Sequence, residues 1–286
     1  MNIFIFPKIG QEPKNIFTNF ERRTHELKNY TRFLCIMKES IDQQIKAIEQ
    51  NNQVTILFAC ESGSRAWGFA SPDSDYDVRF IYAQPRDNYL SILERNDTIE
   101  LPVNQELDVN GWDIRKALQL FLKSNAPLYE WLQSPIVYKA ESDFSMALKE
   151  LMPAYFSHRA GCHHYLSIVR NTFENDLQGD QIKLKRYFYA LRSLLAGLWI
   201  VENRSLPPME FSKLRILITD HNWNEAIDDL LERKKTADEK ALIAPVALIQ
   251  QWIEKTLVYC KEQSDTMEPV KHDITALDEL FRKYIG

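Results

Sequence analysis

The residues best suited to chemistry lie in ESGSRAWGFASPDSDYDVRF, Glu61 to Phe80, where Gly63, Ser64 and Gly68 precede three alternating carboxylates, Asp73, Asp75 and Asp77. These acids match positions 1, 3 and 5 of an EF-hand calcium loop. Position 6 is then Val78, where the turn needs glycine, and position 12 is Gln84, where a bidentate Glu is needed, so that reading fails. Gly63 and Gly68 have Walker A spacing, but Phe69-Ala70 follows in place of lysine and a hydroxyl residue. The Gly-x-Ser-x-Gly elbow of hydrolases is absent. A turn over Ser71–Ser74 accounts for Asp73 but not for Asp75 and Asp77. A strand places the two acids of Asp-x-Asp on one face, about 7 Å apart, where they repel unless a cation stands between them. That arrangement suits phosphoryl transfer with Mg2+, which takes a few carboxylates and adds substrate phosphates. Gly63-Ser64 is the phosphate end of this reading. Glycine admits close backbone approach, and N–H groups with a hydroxyl at the opening of a helical turn suit an anion.

Other candidates lie in the second half. Lys185, Tyr189 and Arg192, at i, i+4 and i+7, share one helix face opposite the apolar stripe Leu184, Phe188, Leu191 and Leu195. Such a face is either solvated or turned toward a nucleotide. His158 and Cys162 have the i, i+4 spacing of a metal pair, but no second ligand pair accompanies them, which favours helix packing. Trp112, Trp131 and Tyr138 read as core or interface residues, and Trp67 as core or a base-stacking ring.

The elements that must position these groups follow from periodicity. Residues 1–36 form a polar extension, with helical character near Phe17–Phe33. A helix starts at Met37, with Ile41, Ile45 and Ile48 on one face. VTILFAC (54–60) is a buried strand. DVRFIYA (77–83) is a second strand, with Val78, Phe80 and Tyr82 on one face and Asp77, Arg79 and Ile81 on the other. QELDVNGW (105–112) is a third. DIRKALQLFLKSN (113–125) is an amphipathic helix with Asp113 as its N-cap. From about Asp143 the chain reads as helices. The expected plan is an α/β (α+β) fold: an extension over 1–36, a small mixed sheet with helices over 37–142, and an all-helical domain over 143–286.

The bulk properties fit a globular chain of 286 residues, 45% hydrophobic and 26% charged. The net charge of −5 gives no general attraction to nucleic acid, so any such contact is local. The four cysteines form no C-x-x-C pair, and a reduced, cytoplasmic chain without a membrane span is the expectation. The opening MNIFIFPKIG lacks the basic region of a signal peptide.

The stretch GSRAWGFASPDSDYDV resembles the nucleotidyltransferase signature of the DNA polymerase β superfamily. With DVNGWDIRKALQLFLKSNAPLYEWLQSPIVY and KLKRYFYALR, it makes the chain, from about Met37 to the C-terminus, similar to the RNA repair pathway DNA polymerase β family. The resemblance implies a polymerase β-like fold and transfer of a nucleoside monophosphate from an NTP to a hydroxyl, with an RNA end as acceptor. It implies two Mg2+ ions held by Asp75, Asp77 and a third carboxylate on a later strand. Asp108 is favoured for that third place, Asp113 is the alternative and better explained as a cap, and Glu106 is a third choice. Gly63 and Ser64 would contact phosphates, Arg65 would either join them or form a structural ion pair, and Lys185, Tyr189 and Arg192 would face the nucleotide. Transfer to a protein or small-molecule hydroxyl and non-catalytic nucleotide sensing are the alternative activities.

Overall fold

The computed structural model describes residues 35–102, 107–236, 238, 240–270 and 272–286. The expected helix at Phe17–Phe33 and the candidate Glu106 lie outside these residues. The chain divides into two compact units, 1–47 and 48–286. In the first, the described residues are helical and belong to α1 (35–52).

The second unit is α/β. Its strands β1 (Thr55–Glu61), β2 (Tyr76–Ala83), β3 (Thr98–Glu100), β4 (Leu107–Asp113) and β5 (Val137–Ala140) form one mixed sheet in the order β3-β4-β2-β1-β5. β1 is antiparallel to both β2 and β5, whereas β2 and β4 run parallel with Asp77 opposite Asp108 and Arg79 opposite Asn110. The alternation read from the sequence is present in β2: Val78, Phe80 and Tyr82 are buried while Asp77 and Arg79 are half-buried. It breaks at Ile81, which is buried on the opposite face.

Short helices link these strands. α2 (Gly63–Trp67) follows β1, and α3 (Arg86–Tyr89) follows β2. After β4 come α4 (Ile114–Leu122) and α5 (Ala126–Gln133), two helices where the sequence suggests one running to 125. The break is local: Ser124 has φ +56°, and the Asn125 side chain caps α5 by accepting from Leu128 N. α6 (Ser142–Tyr155), α7 (His158–Asp176), α8 (Leu184–Asn203), α9 (Phe211–Leu214), α10 (His221–Thr236), α11 (Ala247–Asp265) and α12 (Thr275–Tyr284) complete the helical part.

The sheet and the later helices share one core. Phe58, Phe121, Trp131 and Leu132 belong to the same buried cluster as Phe144, Leu166, Phe188, Leu191, Trp223 and Ile253. The expected boundary at 142/143 therefore falls inside a compact unit. α8 is buried nearly all round, with Tyr187, Ala190 and Leu194 buried beside the expected stripe. This is the pattern of a helix enclosed by its neighbours rather than one with a solvated face.

Candidate active site

The acidic end of the site is set by strand register. Asp77 and Asp108 are direct neighbours across the parallel β2–β4 pair, on the half-buried face of each strand. Arg79, two residues along from Asp77, reaches both: its Nη2 is 3.0 Å from Asp77 Oδ1 and 2.7 Å from Asp108 Oδ2. A second guanidinium nitrogen, Nη1, donates to the Asp108 carbonyl at 3.0 Å. Two like charges on adjacent strands would repel, and the guanidinium supplies the positive charge between them. Arg79 shares the strand parity of Asp77, so its face was legible in the sequence, but not its use.

Gly63 is pressed against this pair. Its φ is +60°, and a Cβ added there would stand 1.9 Å from Asp77 Oδ2. The Asp77 carbonyl accepts from Ser62 N at 2.8 Å, holding the entry to α2 against β2. Ser64 is buried, and its carbonyl accepts from Gly68 N and Phe69 N to close the α2 turn. Arg65 is spent on structure: Nη2 donates to the Ser74 carbonyl at 2.6 Å, Nε reaches the Ser74 and Asp75 carbonyls at 3.2 Å, and the guanidinium lies 3.8 Å from the Tyr76 ring centroid. It thereby holds the turn that presents Asp75, which is exposed just before β2.

Asp113 does something else. It caps α4 by accepting from Arg115 N at 2.8 Å, and it also accepts from Tyr89 Oη at 2.7 Å and Gln84 Nε2 at 3.2 Å. Its parity on β4 is opposite to that of Asp108, so it is buried on the other side of the sheet. Burial pushes its carboxyl upward against the pull of these hydrogen bonds.

Beneath Asp77 lies a carboxylate that the sequence reading passed over. Glu61, the last residue of β1, is fully buried; it accepts from Asp77 N at 2.8 Å and from the Tyr138 hydroxyl. Burial pushes its carboxyl up to about 7, with the hydrogen bonds from Tyr138 and Asp77 opposing.

Asp108 and Arg79 open onto a cavity of about 700 Å3. Tyr189 and Arg192 of the expected α8 face line it, and Lys185 does not. Arg192 is not a solvated cation. It is 3% exposed, its Nη2 lies 2.9 Å from Glu130 Oε1, its Nε donates to the Met209 carbonyl at 3.0 Å, and it packs 4.4 Å from the Trp67 ring centroid. Glu130 also accepts from Tyr165 Oη at 2.7 Å and from Trp67 Nε1 at 3.2 Å. This network ties α2 to α5, α7 and α8, and buried charges need such pairing. Glu130 gave no sequence signal, because nothing in LYEWLQ marks a buried acid.

At the His158/Cys162 pair, Cys162 is buried, with its thiol pushed up to about 11 by desolvation and directed at the Gly197 carbonyl. Among the described residues, no three His, Cys, Asp or Glu side chains stand together so as to hold a metal ion. Asp75, Asp77 and Asp108 are thus not drawn into one cluster. Asp77 and Asp108 nonetheless suit a hard divalent cation, since Mg2+ is usually held by one or two carboxylates plus substrate phosphates.

The parallel Asp77/Asp108 pair beside a glycine turn, on a mixed α/β fold, is of the polymerase β-like nucleotidyltransferase class. The chain belongs to the RNA repair pathway DNA polymerase beta family, which matches residues 37–283. It is 42% identical over 241 residues to the uncharacterized protein YcgL of Bacillus subtilis (strain 168), covering 84% of this chain and 93% of that protein. A 134-residue stretch is 25% identical to the tRNA (34-2'-O)-methyltransferase regulator WDR6 of Drosophila melanogaster, 46% of this chain and 12% of that protein. A crystal structure of a nucleotidyltransferase-like protein from Exiguobacterium sibiricum 255-15 aligns with 85% of this chain and 79% of its own at 12% identity and a TM-score of 0.30.

Proposed function

We propose that the protein is a Mg2+-dependent nucleotidyltransferase that moves a nucleoside monophosphate from an NTP to a hydroxyl, with release of pyrophosphate. The observation that carries this is the Asp77/Asp108 pair on adjacent parallel strands, with Gly63 packed against Asp77 and a nucleotide-sized cavity alongside. Asp77 and Asp108 would hold Mg2+, and Asp75, presented by the Arg65-braced turn, would join them when nucleotide binds. Bound there, the ions would neutralise the triphosphate and lower the pKa of the attacking hydroxyl.

The chain's own residues do the positioning. The backbone of Gly63-Ser64, packed on Asp77 through Gly63, would contact the phosphates. Arg79, shared by the two carboxylates and lining the cavity, would accompany the charge of the substrate. The buried Trp67–Glu130–Arg192 network fixes α2 against the helical wall. The acceptor would be an RNA end, a reading that the RNA repair pathway in the family's description favours and that fits the net charge of −5 if contact is confined to the terminus.

The test is incubation with labelled NTPs and Mg2+, offering RNA, with the protein itself as the other acceptor. Label on RNA is expected. Label on the protein moves the acceptor but keeps the chemistry, and NTP binding without transfer supports a sensor. Asp77→Ala is expected to fold and to lose transfer, and transfer that survives it removes the metal assignment.

A further inference from the structure

The cavity contains a feature that transfer chemistry alone does not require. Asp108, Asn110 and Trp112 alternate along β4, share its half-buried face, and all line the cavity. Asp108 and Trp112 are about 13 Å apart along the strand, a span comparable with a nucleotide's length. Between them the floor is polar and fixed, since Asn110 Nδ2 donates to Glu100 Oε1 at 2.6 Å.

The far end is aromatic. Trp112 stacks on the buried Trp131 with ring centroids 4.0 Å apart and planes at 30°, so one ring braces the other. Tyr189 of α8 also lines the cavity, packed edge-on to Trp67 at 5.4 Å. His164 and Ser193 line the cavity too and bring hydrogen-bonding groups to it. A cavity of this volume that combines aromatic rings with charged and hydrogen-bonding side chains can hold a small molecule that is part flat ring and part polar. Its acidic end suits a metal-bound phosphate, and its aromatic end suits a flat, π-faced ring.

We propose that the Trp112/Trp131 end of the cavity is a nucleobase subsite, in which a base stacks against Trp112 and meets Tyr189 while its phosphate lies toward Asp108. This rests on the nucleotidyl-transfer reading for the placement of the phosphate, but not for the stacking. The base belongs either to the NTP or to the terminal nucleotide of the acceptor. Stacking on an aromatic ring accepts any base, so the subsite by itself selects for a nucleobase rather than for a particular one.

Calorimetric titration of the full chain separates these points. Adenosine, guanosine, cytidine and uridine, which lack phosphates, are titrated without metal, and inorganic triphosphate is titrated with Mg2+. Saturable nucleoside binding is expected, weakened about tenfold by Trp112→Leu, equivalent to about 1.4 kcal/mol, with triphosphate binding unchanged. Tyr189→Ala, at a half-buried position, is expected to weaken nucleosides several-fold and decides the matter if Trp112→Leu does not fold by circular dichroism. Nucleosides that fail to bind, or that bind both variants as tightly as the wild type, overturn the subsite. Triphosphate that fails to bind while nucleosides do so removes the transferase reading and leaves the subsite standing. Displacement of nucleoside by an NTP assigns the base to the donor. Displacement by a short RNA, with the NTP still bound, assigns it to the acceptor.

Discussion

Replacing Gly63 by alanine should damage the site in a way that can be dissected. Two costs arise. Gly63 has φ +60°, a left-handed backbone that costs any other residue about 1–2 kcal/mol. The new Cβ would also lie 1.9 Å from Asp77 Oδ2 and 2.9 Å from Asp77 Cγ, so the carboxylate must rotate. Turning it off its rotamer costs about 1 kcal/mol and pulls it from Arg79 Nη2, now 3.0 Å away. The sum is about 2–3 kcal/mol, or a fall in Tm of roughly 5–10 °C for a unit of this size. Gly68→Ala is the control. Gly68 has φ +89° but nothing within 4 Å of an added Cβ, so it incurs the backbone cost without displacing any side chain. Thermal denaturation of the two variants therefore separates strain from collision. In the double variant Gly63→Ala/Asp77→Ala the overlapping oxygen is gone, and the costs should combine less than additively. Labelled-nucleotide transfer should fall by about 100-fold in Gly63→Ala, the scale for misplacing a reacting group by an ångström, and stay near wild type in Gly68→Ala. If the two alanine variants match in both Tm and transfer, the packing of Gly63 on Asp77 has no functional weight and the argument is wrong.

Three further outcomes concern the carboxylates. Asp108→Asn should cost orders of magnitude in transfer with little change in Tm. Asp113→Ala should cost about 1–3 kcal/mol of stability through the lost cap and the lost acceptor for the Tyr89 hydroxyl, yet keep its transfer per folded molecule; the reverse pattern would exchange their roles. Glu61→Gln should change the pH dependence of stability. The Glu61 carboxyl is raised from 4.5 to about 7 by burial, so folding favours its protonated form. The associated stability is fully present below about pH 4.5 and is lost as pH rises through about 7, up to about 3 kcal/mol in all. The Tm difference between the glutamine variant and the wild type should therefore shift in the variant's favour between pH 5 and 8, and a constant difference would refute it.

The sequence by itself determined the local pieces. Apolar runs defined β1 and β2, the parity of Asp77 against Val78 and Phe80 put the acid on the half-buried face, and Asp113 was recognisable as a cap from its position before an amphipathic helix. It also carried the family, through motifs whose order and spacing survive in one dimension. Tertiary structure alone decided which groups meet. Asp77 and Asp108 become neighbours because β2 and β4 pair in parallel, and strand periodicity records which face is buried but not which strand lies alongside. Arg79 looked like an ordinary strand residue until that register placed both carboxylates within its reach. Arg192 read as part of a basic face, either solvated or turned toward a nucleotide. The fold encloses α8 and pairs Arg192 with Glu130 from α5, 62 residues away in the chain, because a charge so deeply buried must find its partner wherever packing brings one.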